Sequence, residues 1–73
     1  MNLEEANQEN LSFIINEMAE RLQVVNRSIM DPDDYNLDNY DELKSLYQMI
    51  EQKGSLSVSE TQAFIEELKN YRK

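Results

Sequence analysis

The chain has 73 residues, with 15 Asp and Glu against 7 Lys and Arg, a formal net charge of −8, and neither cysteine nor histidine. A chain this short holds one domain, expected over residues 1–73, with a single layer of helix on helix and no room for a deep metabolite pocket. The acidic balance argues against nucleic acid and anionic membrane surfaces, and the missing residue types exclude disulfides, thiolate nucleophiles, Cys-based zinc sites and the usual general base.

The first predicted element is a long helix over about residues 3–29. Leu11, Ile15, Met18, Leu22, Val25 and Ile29 follow one another at intervals of 4, 3, 4, 3 and 4, and Ile14 falls on the same side. At helical pitch these seven form a stripe about 100° wide, the width of one buried helix face. A strand reading fails because the polar residues do not alternate. The helix is expected to stop near Met30, since Pro32 biases Asp31 out of the helical region.

An acidic connector follows, and the second helix is predicted over residues 39–53. Asp38, Asn39, Asp41 and Glu42 look like a helix start, with Asn39 and Glu42 at capping-box spacing. Its inner face is Tyr40, Leu43, Leu46, Tyr47 and Ile50. Lys53 suits the last turn, and Gly54 suits a left-handed end. The third helix is predicted over residues 58–71. Ser57 and Glu60 form a cleaner capping box, and Val58, Phe64, Ile65, Leu68 and Tyr71 are expected to face inward. Short connections favour antiparallel neighbours. The expected fold is all-α, a three-helix bundle with a long first helix as its spine.

Few groups suggest chemistry. The 12 residues Asp31–Glu42 lie between two helices, as a calcium loop does. Asp31, Asp33 and Glu42 fall on three of the ligand positions of such a loop, which makes them metal candidates. Tyr35 and Asn36 then stand where a carboxylate and the turn glycine belong, and Asp38 stands where an apolar residue packs. The plain reading is a solvated acidic loop and a helix cap. Ser55, Ser57, Ser59 and Thr61 have no base nearby in sequence to activate them, and Ser57 is explained as a cap. No catalytic residue and no cofactor site is expected.

Two features suggest a partner. Phe13 and Val24 are 11 residues apart, close to three helical turns, and on a continuous helix they share a line well off the main stripe. Either the connector or the third helix covers that line, or it is a dimer seam or partner groove. Tyr35 either caps the bundle or contacts a partner, whereas Tyr40, Tyr47 and Tyr71 fit core edges.

The run Leu22-Gln23-Val24-Val25-Asn26, then Met30-Asp31-Pro32, Tyr35, Leu37 and Tyr40, then Leu46-Tyr47-Gln48-Met49-Ile50 resembles the YfkK-like family of small proteins from bacilli and staphylococci. Ser57, Glu60-Thr61-Gln62-Ala63 and the terminal Arg72-Lys73 fit as well, so the likeness spans nearly the whole chain. It implies a Gram-positive, cytoplasmic protein and brings no activity, ligand or site, although it directs attention to Asn26 and Tyr35.

The first ten residues, MNLEEANQEN, lack the basic and apolar regions of a secretion signal. No apolar run approaches the roughly 20 residues of a membrane span. The expectation is a cytoplasmic, non-enzymatic protein-interaction module with an unknown protein partner or a homodimer, binding through Phe13, Val24 and Tyr35. The alternative is a calcium- or other metal-responsive regulator using Asp31, Asp33 and Glu42.

Overall fold

The computed structural model describes residues 3–25, 28 and 30–72. Three α-helices carry the architecture: α1 (Gln8–Arg21), α2 (Tyr40–Lys53) and α3 (Val58–Lys69). Two short 3-10 turns, Pro32–Asp34 and Leu37–Asn39, lie between α1 and α2. The all-α, three-helix arrangement expected from periodicity is therefore present. Among the described residues there is no strand, only an isolated antiparallel bridge between Tyr35 and Arg72. Asn26, Arg27, Ile29 and Lys73 lie outside the described residues.

The first helix is much shorter than its stripe predicts. It starts at Gln8 because Asn7 caps it, its side chain accepting from the Asn10 N–H at 2.8 Å. Residues before the cap fold back over the bundle. The Tyr40 hydroxyl donates to the Leu3 carbonyl, and the Asn10 side-chain amide donates to the Glu5 carbonyl at 2.8 Å.

At its other end α1 stops at Arg21, eight residues before the predicted end at residue 29. Gln23 takes a positive φ of 58°. Its N–H donates to Glu20 at 3.1 Å, and the Val24 N–H donates to Ala19 at 2.8 Å. This pair of bonds is a Schellman motif, normally closed by glycine. The buried side chains of Val24 and Ala19 supply the apolar contact that accompanies such an ending. The expected helix through Val25 is thus corrected: Val25 continues the sequence spacing but is 94% exposed.

The start of α2 also differs from expectation. Asn39 makes no capping hydrogen bond. Asn36 acts one turn earlier, its side chain accepting from the Asp38 N–H at 2.9 Å and setting the 3-10 turn that leads into α2. Gly54 ends α2 with φ 70° and ψ −62°. The positive φ is the one expected of a terminating glycine; the ψ is not that of an αL cap but closes a γ-turn, with Ser55 N–H donating to Lys53 at 2.7 Å.

The third helix begins as predicted. The Ser57 hydroxyl accepts from the Glu60 N–H at 3.1 Å, and the Glu60 carboxylate accepts from the Ser57 N–H at 3.2 Å. Val58 does not face inward; it is 79% exposed.

Leu11, Ile14, Ile15, Met18 and Leu22 of the α1 segment meet Tyr40, Leu43 and Ile50 of α2. Each fully buried aliphatic side chain contributes about 1.5–3 kcal/mol. From α3 only Phe64 and Leu68 are buried in this core, with Ile65 packed partly against it, and Tyr71 does the same from beyond the helix, which ends at Lys69 rather than at the predicted residue 71. Val24, Met30 and Tyr35 come from the connector and complete it.

A left-handed conformation costs a residue with a Cβ about 1–2 kcal/mol, a cost that glycine escapes. Gln23→Gly is therefore expected to stabilise the fold by about 1 kcal/mol, read as a higher urea midpoint at unchanged slope. A lower midpoint would contradict the assignment of Gln23 as the helix terminator.

Candidate functional site

The acidic connector uses its carboxylates and amides to shape itself. Asp31 is extended, and its side chain accepts from the Asp33 N–H at 3.0 Å, which opens the first 3-10 turn. Glu42 stands in the first turn of α2, where its charge favours the helix dipole. Among the described residues no three acidic side chains gather in a way that would hold a metal ion.

Phe13 and Val24 do not form a line, because α1 ends between them. Val24 is turned into the core by the Schellman ending. Phe13 is half-buried and meets Tyr47 edge to face, with ring centroids 6.3 Å apart at 72°. Neither provides the exposed seam that a continuous helix would have given.

Tyr35 is buried and acts as a plug from the connector. Its backbone bridges to Arg72, whose guanidinium reaches Asp34 at 3.0 Å. Its hydroxyl is buried without a hydrogen-bond partner among the described residues. Burial pushes its pKa up, Arg72 opposes that shift and Asp34 adds to it. The side chain therefore belongs to the fold's interior, with the C-terminal turn closed over it.

The surface feature that sequence reasoning missed is an apolar groove between α2 and α3. Its volume is about 350 Å³, and Leu46, Met49, Ala63 and Phe64 line it. Met49 is 49% exposed there. Leu43 and Ile50 are buried in the core, Leu46 packs partly against it as its place on the predicted inner face implies, and Met49, on the flank of the α2 stripe, is left outside. Ala63 is the small residue that opens the floor on the α3 side. The available signal was an apolar arc on α2 wider than one neighbour can cover.

Lys53, Glu60 and Glu67 complete the lining. Lys53 and Glu60 pair at 2.6 Å. That hydrogen-bonded ammonium, and then the Ser57 backbone, hold the Glu60 carboxyl below the usual carboxylate range. The pair is exposed, so its contribution to stability is small. A second hollow of about 360 Å³ is mainly polar, with Arg21, Gln23, Thr61 and Gln62 in its wall. Its guanidinium is already committed, since Arg21 bonds Glu51 at 2.9 Å. The groove is thus the surface suited to taking apolar side chains, and the polar hollow is suited to water.

Residues 3–73 match the profile of a family described as a protein of unknown function, DUF1128. The chain is 53% identical to a UPF0435 protein of Oceanobacillus iheyensis, with all of both chains covered. Identity is 44% to a UPF0435 protein of Halalkalibacterium halodurans and 38% to one of Listeria monocytogenes, again over the whole of each chain. The resemblance read from the sequence holds at the level of the family. No solved structure matches the chain. No described helix is long and apolar enough to cross a membrane.

A buried hydroxyl without a partner costs about 1–3 kcal/mol. Tyr35→Phe removes the hydroxyl and keeps the ring, so it is expected to raise stability by about 1 kcal/mol in urea unfolding. A loss of about 1 kcal/mol or more would show that the hydroxyl is hydrogen-bonded.

Proposed function

We propose a protein-binding role for this chain, which belongs to the DUF1128 family of proteins of unknown function: the groove between α2 and α3 takes apolar side chains from another protein. One observation carries this reading, namely that Met49 is left 49% exposed on an apolar floor shared with Leu46, Ala63 and Phe64. Lone exposed apolar residues are ordinary, but a concave apolar strip with a polar rim is the usual form of an interaction site.

The role is non-enzymatic. The family has no known catalytic function. The groove offers an apolar floor, an ammonium paired with a carboxylate, and one further carboxylate, which is a rim for binding rather than a set of groups poised for proton transfer. The setting is cytoplasmic, supported by a cysteine-free composition that suits a reducing compartment.

A random-peptide phage library selected on the immobilised protein tests the reading, with Met49→Asp as the counter-selection. Met49 is solvent-facing, so the substitution spares the core. The expected outcome is a set of peptides that share paired apolar residues and bind the variant at least about tenfold more weakly, a loss of about 1.4 kcal/mol. Peptides that bind both proteins equally would contradict a role for the groove.

A further inference from the structure

The class of partner follows from the walls and the charge of the groove, and this step rests on the groove being the binding surface. Both walls are α-helices. Leu46, Met49 and Lys53 are spaced i, i+3, i+7 on α2, and Glu60, Ala63 and Glu67 have the same spacing on α3. The trough is therefore about two helical turns long, roughly 10 Å. Helical walls have their backbone groups bonded internally, so they offer no edge to an added strand. A trough of this kind is filled by side chains projecting from one face of a helix, at i, i+3 or i+4, and i+7.

The charge then selects among helices. At the end nearest the α2–α3 connection, Lys53 and Glu60 neutralise each other. Toward the other end stands Glu67, and Glu42 lies one turn before Leu46 on the same face of α2. Neither carboxylate has an ion-pair partner among the described residues. The chain around them carries a formal net charge of −8. A second copy docked in the groove would bring the same charge against it. We infer that the α2–α3 groove docks a basic amphipathic helix from another protein, its apolar face on Leu46, Met49, Ala63 and Phe64 and its Lys or Arg residues beside Glu42 and Glu67.

Two labelled helical peptides of about eighteen residues test this, with the same apolar residues at i, i+3 and i+7 and with either Lys or Glu at the polar positions. Binding is read by fluorescence anisotropy at about 50 and about 500 mM salt, where screening differs strongly. The Lys peptide is expected to bind at least about tenfold tighter than the Glu peptide and to weaken about tenfold at the higher salt. Met49→Asp and Ala63→Glu are each expected to abolish that binding while circular dichroism stays unchanged. Both substitutions add negative charge, so such a loss reports the apolar floor rather than the field. Glu42→Lys with Glu67→Lys is expected to remove most of the salt dependence.

If both peptides bind alike and Met49→Asp abolishes both, the groove stands and the basic class is overturned. If neither binds at millimolar protein, or if binding survives both groove substitutions, the groove reading falls together with the class. Sedimentation equilibrium supplies the remaining arm: a dimer that Met49→Asp dissociates would make a second copy the occupant and overturn the inference.

Discussion

The hydrogen bonds from Gln23 and Val24 back to Glu20 and Ala19 end α1 at 3.1 and 2.8 Å, and the rest of the fold follows from that ending. A helix continued through residue 29 would carry the chain away from the bundle. Stopped at Arg21, the chain turns back across the core instead. Val24 enters first, and Met30 and Tyr35 follow, so the connector becomes a layer of the core rather than a tether. Asp31 and Asn36 then set two successive 3-10 turns that deliver Tyr40 to the start of α2. Tyr40 in turn holds the N-terminal segment through its bond to the Leu3 carbonyl.

That use of the connector explains the open surface. The core of α1 and α2 is completed from the loop side, so α3 has only to contribute Phe64 and Leu68. It lies beside α2 with Met49 exposed and Leu46 only partly covered. Charge adds little to the cohesion: the Arg21–Glu51, Lys53–Glu60, Lys69–Glu66 and Arg72–Asp34 pairs are all substantially exposed. Pairs of this kind are worth about 0–1 kcal/mol each. Apolar burial holds the molecule together, and the excess negative charge is left to act at its surface, including the rim of the groove.

Much of the architecture was legible in the sequence. The Ser57 and Glu60 box set the start of α3, and the stripe from Leu11 to Met18 identified the α1 core, because each signal is local. The end of α1 was hidden for two reasons. Gln23 does a job that glycine usually marks, and Val25 keeps the helical spacing although it is exposed. The apparent line through Phe13 and Val24 was a product of that missed ending. The burial of Tyr35 and the groove at Met49 depend on how separate elements sit together, which local pattern does not encode.

Backbone chemical shifts and amide exchange across residues 19–25 report whether α1 ends at Arg21. The expected result is helical Cα shifts that stop at Leu22, a left-handed value at Gln23, and a Val24 amide protected from exchange by its bond to Ala19. Helical shifts running unbroken through Val25 would contradict it, and with it the burial of Val24 on which the connector's place in the core depends.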